Sequence, residues 1–437
     1  VKDPRSRVKE FLSSQGMYHG DIKIQETCDV FLGEMDKGLA GKKSSLAMLP
    51  TYIGTERELP HDEPVIVMDA GGTNFRVATV SFREVGEPEI SHFKVFPMPG
   101  ITAEVGKDEF FGTMAGYVKA VAGKSPNVGF CFSYPIEMFP SKDGRALYFS
   151  KEIKAPEAAG QMIGESMGAA LSRLGVKQDK HFVLLNDTVA TLLAGRAETS
   201  GRRFDSYIGF ILGTGTNTAY VEQNSNIRKA RDLNAKDSQI INVESGGFGK
   251  APRGKIDKKF DAASVSPGVN VFEKMISGAY IGPLCLVTAQ AAARTGLFSK
   301  TAAAGLAGIE SATTKDISDF LSRPEGGDSP LSAALTDTTD DDIVTLYHLV
   351  DALVERAAKL TAINLSSVAL KSDKGHNPAR PICIVAEGTT FYRLKSLRPK
   401  VEYYLKQYLV ERKRVHYEIV SIDNATLIGA AIAGLTN

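Results

Sequence analysis

Tryptophan is missing altogether from the 437 residues. Cysteine is scarce: Cys28, Cys131, Cys285 and Cys383 lie far apart and form no CxxC pair. That spacing argues against a disulfide framework or a zinc ribbon. Cys131 and Cys383 sit in apolar, strand-like runs and read as buried thiols of a reducing cytoplasm. The seven histidines are scattered, without metal spacing such as HExxH. Charge of one sign is lacking too, because 52 Lys plus Arg face 51 Asp plus Glu, a net charge of +1. No global field draws such a chain to nucleic acid or to a membrane, and any anion must be held by local geometry. No window approaches the roughly eighteen apolar residues of a membrane span. The opening Val1-Lys-Asp-Pro-Arg-Ser-Arg7 has no apolar signal core, so a cytoplasmic protein is expected.

What is present is 43% hydrophobic content and a length that suggests two or three domains. Residues 1–60 read as amphipathic helices, with Val8, Phe11 and Leu12, then Val30, Phe31 and Met35, at helical spacing. From Val65 the period becomes that of strands, at 65–70, 75–82 and 89–96, with turns at Gly71-Gly72 and near Gly86. Helices over about 107–122 and 157–174 alternate with strands at 128–133 and 182–185, and a helix follows from Thr188. Then the grammar repeats: a strand at 207–212, the glycine turn Gly213-Thr-Gly-Thr-Asn217, and a strand at 218–221. Two strand–glycine turn–strand units predict an α/β fold of two similar lobes with a cleft between them. Residues 299–342, ending Asp340-Asp-Asp342, read as small surface helices and loops. A long apolar helix at 343–370, a strand at 382–386 and a small-residue helix at 425–435 complete the pattern.

The chemistry concentrates in Val65-Ile-Val-Met-Asp-Ala-Gly-Gly-Thr-Asn-Phe-Arg76. Gly71 and Gly72 remove side chains so that backbone N–H groups can approach a phosphate, and Thr73 adds a hydroxyl donor. Asp69 is placed to hold a hydrated Mg²⁺ beside the phosphates. The second glycine turn, 213–217, would grip the same phosphates from the other lobe. Neither is a Walker A loop, since Gly123-Lys124-Ser125 has Val118 where that motif needs glycine; a Rossmann GxGxxG would need glycine at Thr218. Asn186-Asp187-Thr188 follows an apolar strand and opens a helix. Asp187 there either caps the helix or turns into the cleft to take a proton from a substrate hydroxyl. Ser133, Ser150, Lys151, Asn186, Asn217, Glu244 and Glu273 stand near strand or turn ends, where their donors and acceptors suit a polyol.

In this order the segments resemble the hexokinase family of the actin-like ATPase superfamily. The resemblance runs from about Met48 to the end of the chain through Leu49-Pro-Thr-Tyr52, Asp69-Ala-Gly-Gly-Thr-Asn-Phe-Arg76, Phe130-Cys-Phe-Ser-Tyr-Pro135, Asn186-Asp-Thr-Val189, Gly213-Thr-Gly-Thr-Asn217, Asn242-Val-Glu244 and Phe272-Glu-Lys-Met-Ile-Ser-Gly278. It implies two actin-like (ribonuclease H-like) lobes around an active-site cleft. The small lobe would hold 65–185 plus 425–437, and the large lobe 1–60 plus 186–423. It implies ATP-dependent phosphorylation of a hexose, glucose above all, at the 6-hydroxyl, the first step of glycolysis, with Mg²⁺ and ATP as cofactors. Asp187 is the implied base. Ser133, Ser150, Lys151, Asn186, Asn217, Glu244 and Glu273 are the implied hexose contacts, with Lys151 also near the transferred phosphoryl. Asp69, Gly71, Gly72, Thr73, Asn74 and Arg76 fall on the first phosphate loop and Mg²⁺ region. Gly213 and Thr214 fall on the second loop, and Gly388 and Thr389 on the adenosine segment. The implied assembly is a monomer or homodimer.

Two departures stand out. The family's Trp-Thr-Lys reads Phe149-Ser-Lys151 and its Glu-Trp-Gly reads Glu244-Ser-Gly246, which predicts a wider pocket and a relaxed choice of hexose. The family's Asp-Gly-Ser-Gly before the last helix reads Asp423-Asn-Ala-Thr426, so no nucleotide contact is expected there. The alternatives to a kinase are a sugar-binding regulator of the same fold that has lost turnover, and a generic actin-like ATPase or chaperone.

Overall fold

The computed structural model describes residues 2–83, 87–149, 153–197 and 202–437. Its strands are β1 (Leu49–Pro50), β2 (Val65–Gly71), β3 (Asn74–Phe82), β4 (Pro88–Pro97), β5 (Asn127–Phe132), β6 (Ile136–Met138), β7 (Gly144–Ala146), β8 (His181–Leu185), β9 (Ser206–Leu212), β10 (Thr216–Gln223), β11 (Ser238–Asn242), β12 (Ile382–Glu387) and β13 (Tyr417–Val420). They form two main sheets, ordered β4-β3-β2-β5-β8 and β1-β11-β10-β9-β12-β13, and a small β6-β7 hairpin.

The two large sheets are built alike. In the first, β2, β3 and β4 pair antiparallel, and β5 and β8 add parallel to β2. In the second, β9, β10 and β11 pair antiparallel, and β12 and β13 add parallel to β9. β1 extends only the second. Each sheet's last strand leads to a helix: β8 to α1 (Asp187–Ala194), and β13 to α3 (Ala425–Thr436). Between them in sequence runs α2 (Asp340–Ser372).

Helices α1 and α3 cross between the sheets, each packed on the strands of the other's sheet. Gly209 on β9 and Gly129 on β5 make room for them. A Cβ at Gly209 would lie 2.2 Å from the Thr188 carbonyl oxygen, and one at Gly129 1.8 Å from that of Ala430. The helices meet at Gly429, where a Cβ would stand 1.8 Å from the Ala190 carbonyl oxygen. Around them a shared core draws Val67, Cys131 and Leu185 from one sheet and Ala219, Ile240 and Val385 from the other. Separate cores cover the outer faces, one holding Met68, Phe110 and Phe130, the other α2 and the N-terminal helices. Burial of apolar area at roughly 25 cal/mol per Å² is what holds the layers together.

Several expectations change on inspection. Val30 is 44% exposed, because its helix (Ile24–Leu39) buries Cys28, Phe31, Met35 and Leu39, and Val30 falls off that face. The helix expected over 157–174 begins only at Ile163, after a 3₁₀ turn at Pro156–Ala158. The delay arises because Gly160 donates to the Ala146 carbonyl and Met162 bridges to Arg145, tying this stretch to β7. Asp340-Asp-Asp342 does not end a loop region. It is the first turn of α2, capped by Thr339 and closed by a capping box with Asp342, and the carboxylates sit at the positive end of the helix dipole. The short strands β6, β7, β11 and β13 were not foreseen. All four cysteines are buried, and none is in a disulfide.

Candidate active site

Two cavities between the sheets share Ser133, Asp187 and Ile211, and a third opens beside the second glycine turn. The first, about 360 Å³, brings together five of the expected sugar contacts, Ser133, Asn186, Asn217, Glu244 and Glu273, with the expected base, Asp187. Asn217 Nδ2 donates to Asn242 Oδ1 at 2.7 Å and to Glu244 Oε1 at 3.3 Å, and Asn242 Nδ2 donates to the same Glu244 oxygen at 2.8 Å. Glu273 Oε2 accepts the Thr216 backbone N–H at 2.9 Å. Burial raises the pKa of both glutamates, and the charge of Glu273 reinforces the shift at Glu244. Amides and carboxylates held by one another in this way present donors and acceptors side by side, which suits adjacent ring hydroxyls. Leu147, Tyr148 and Val269 add an apolar rim. Ser150 and Lys151 lie outside the described residues.

Asp187 opens α1, but the cap is Asn186, whose Oδ1 accepts the Thr188 N–H at 2.9 Å. Asp187 Oδ1 also accepts that N–H, at 2.7 Å, and the Thr188 hydroxyl at 3.2 Å. Capping and cleft-facing are therefore not alternatives, since the carboxylate is tied at its root and still borders both cavities. Burial pushes its pKa up to about 6; the Thr188 hydrogen bonds oppose this, and the charges of Asp69 and Glu244 add to it. A base with that pKa is ionised at neutral pH yet takes a proton readily.

The second cavity, about 430 Å³, is lined by Asp69, Gly71, Gly72, Asn74 and Arg76 from the β2–β3 hairpin. The hairpin closes through two residues, and Gly72 adopts a φ of 58° that glycine alone takes freely. Thr73, at the tip, stands outside this lining; it is exposed, and its carbonyl accepts the Met98 N–H at 3.0 Å. Asp69 is 5% exposed, and its Oδ2 accepts from Thr426 Oγ1 at 3.1 Å and Arg76 Nη1 at 3.4 Å. Burial raises its pKa against the opposing pull of Arg76.

The donor set fits Mg²⁺. The carboxylates of Asp69, Asp187 and Glu387 line this cavity against the guanidinium of Arg76, and all are hard oxygen donors. A polyphosphate alone would be repelled there; one carrying a divalent cation would not. Among the described residues no three such side chains converge into a ready-made metal cage.

The third cavity, about 670 Å³, is lined by Thr214, Gly278, Lys315, Thr389, Thr390 and Arg393 among others. Gly213 and Gly388 shape its wall and do not line it. The Gly213 carbonyl accepts Gly278 N–H and Thr390 Oγ1, each at 2.8 Å. Gly388 sits at φ 110°, where a Cβ would meet the Leu212 carbonyl at 2.3 Å.

Residues that sequence reasoning missed include Asn242, Glu387 and Thr426. Glu387 had a signal: like Asp69, it is an acid that follows an apolar strand run, with a glycine one or two residues further on. Thr426 lies in the segment from which no contact was expected, yet it hydrogen-bonds Asp69. Asn424, beside it, lines the same cavity.

Two like sheets, each with a glycine hairpin at one cleft, define the two-lobed architecture of actin-like sugar kinases. The chain belongs to the hexokinase family. The family profile described as Hexokinase matches residues 207–436, and a second of the same description matches 9–197. Hexokinase-5 of Oryza sativa subsp. japonica is 29% identical over 378 residues, 80% of this chain and 73% of that protein. The glucokinase of Aspergillus niger is 26% identical over 407 residues, 80% of this chain and 81% of that protein. The fold matches a hexokinase from Schistosoma mansoni complexed with glucose over 100% of both chains, with a TM-score of 0.77 at 21% identity. The protein is thus a hexokinase, an enzyme of sugar phosphorylation.

Proposed function

We propose that this hexokinase transfers the terminal phosphoryl group of ATP to the 6-hydroxyl of glucose, the entry step of glycolysis, with Mg²⁺ accompanying the nucleotide. The observation that carries the reading is that Asp187 borders both the polyol-type cavity and the phosphate-loop cavity. In this reading Asn217, Glu244, Glu273, Asn186 and Ser133 hold the sugar, with Ser150 and Lys151 completing the set. Asp187 accepts the 6-hydroxyl proton while the oxygen attacks the γ-phosphorus in line. Arg76, Lys151 and the backbone N–H groups of the two glycine turns steady the charge on the transferring group. Asp69 would hold Mg²⁺ through water, and the ion would neutralise phosphate charge. Thr214, Thr389 and their neighbours would take the adenosine end. Residues 65–185 plus 425–437 act as one lobe and 1–60 plus 186–423 as the other, closing on the sugar to exclude water. A panel of hexoses and nucleotide donors, assayed for ADP release with the modified position identified, tests this reading. Glucose 6-phosphate formed with ATP is the expected product; sugar-independent ATP hydrolysis would overturn it.

A further inference from the structure

Glu387 is the last residue of β12, aligned with Ile211 of β9, so it belongs to the second sheet, whereas Asp69 belongs to the first. One of its oxygens accepts the Ile422 backbone N–H. The other, Oε1, is buried and has no donor among the described residues. Thr191, one turn beyond Asp187 on α1, is fully buried, and its Oγ1 also has no partner among the described residues. Both residues line the cavity that holds Asp69. Unpaired buried oxygens cost on the order of 1–3 kcal/mol each unless something satisfies them, and here that cost falls twice in one cavity that already carries negative charge. An anion cannot satisfy a carboxylate; a hydrated cation can.

We propose that Glu387, assisted by Thr191, positions the water shell of the divalent cation from the second sheet, opposite Asp69 on the first. The assignment rests on the ATP reading above. It makes the cation a tie between the two sheets: Asp69 and Glu387 reach it from opposite walls, with its waters as the links. Glu387 is thus a positioning residue for the metal–nucleotide complex.

The test is a titration of Mn²⁺ into the full chain with glucose and a saturating non-hydrolysable ATP analogue, reading free Mn²⁺ by electron paramagnetic resonance. Glu387→Gln is expected to weaken Mn²⁺ binding by about 10-fold, as loss of an outer-shell metal partner does. Thr191→Val should weaken it less, and Glu387→Asp should restore part of the loss. Analogue affinity in EDTA should not fall in any variant. Equal Mn²⁺ affinity in Glu387→Gln and the parent overturns the assignment alone, even if turnover drops. A parent chain that holds no Mn²⁺ with the analogue overturns the ATP reading and this assignment with it. Should Glu387→Gln fail to fold, Glu387→Asp and Thr191→Val read the same contact.

Discussion

Asp187 is anchored by its own helix and poised by its neighbours. Oδ1 is fixed on Thr188, and burial with two nearby carboxylates brings its pKa to about 6. Replacing it with Asn keeps the shape and removes the proposed base. Asp187→Asn is expected to lower kcat by roughly 10²–10⁴-fold while leaving sugar affinity within a few-fold, checked by steady-state kinetics and calorimetric sugar binding. The sign of the pH effect follows from the raised pKa: the base works only when ionised, so kcat/KM should hold above about pH 6 and fall below it. Asp187→Asn should lose that limb from whatever rate remains. Most of this was legible in the sequence because acids and glycines at strand ends announce themselves by position. Thr426 and Asn242 were harder, because what sets them at the cavities is a neighbour that only the fold brings close, Asp69 for Thr426 and Asn217 for Asn242; the positional signal of Glu387 went unread.

At the scale of elements, hydrophobic period carried the reading wherever a strand or helix was long. Both glycine hairpins and α2 were legible for that reason. The strands β11 and β13 were not, since Ser238-Gln-Ile-Ile-Asn242 and Tyr417-Glu-Ile-Val420 mix polar residues into a short run and owe their form to the neighbours they pair with. The crossing of α1 and α3 was also hidden, because Gly429 must lack a side chain only once the fold brings the Ala190 backbone against it. Gly429→Ala would drive a methyl into the Ala190 carbonyl, and a loss of about 1–3 kcal/mol is expected in urea unfolding. Elsewhere α2 is pinned by a buried bidentate pair, Arg356 with Asp257, in which both side chains are at most 2% exposed. Arg356→Met leaves Asp257 buried without its cation, and about 3–5 kcal/mol should be lost in the same measurement.

For the whole molecule, the repeat in the sequence foretold the repeat in space, but not that the two helices following the last strands would form the middle layer. That arrangement decides how the halves can move. The shared core around α1 and α3 is continuous, so closure of the proposed lobes would have to be accommodated at this helix pair. Addition of glucose is expected to reduce the radius of gyration in solution scattering, and an ATP analogue without sugar should not. No helix among the described residues is long and apolar enough to cross a membrane.

The lack of tryptophan has an optical corollary. Phe149 rests among Phe110, Phe132 and Tyr134, with ring centres 5.2, 6.2 and 5.4 Å away, and follows Leu147 and Tyr148 of the cavity rim in sequence. Excited near 295 nm, the native chain is dark, so a lone indole installed by Phe149→Trp would glow against no background and register each arrival of a sugar as a change in its colour.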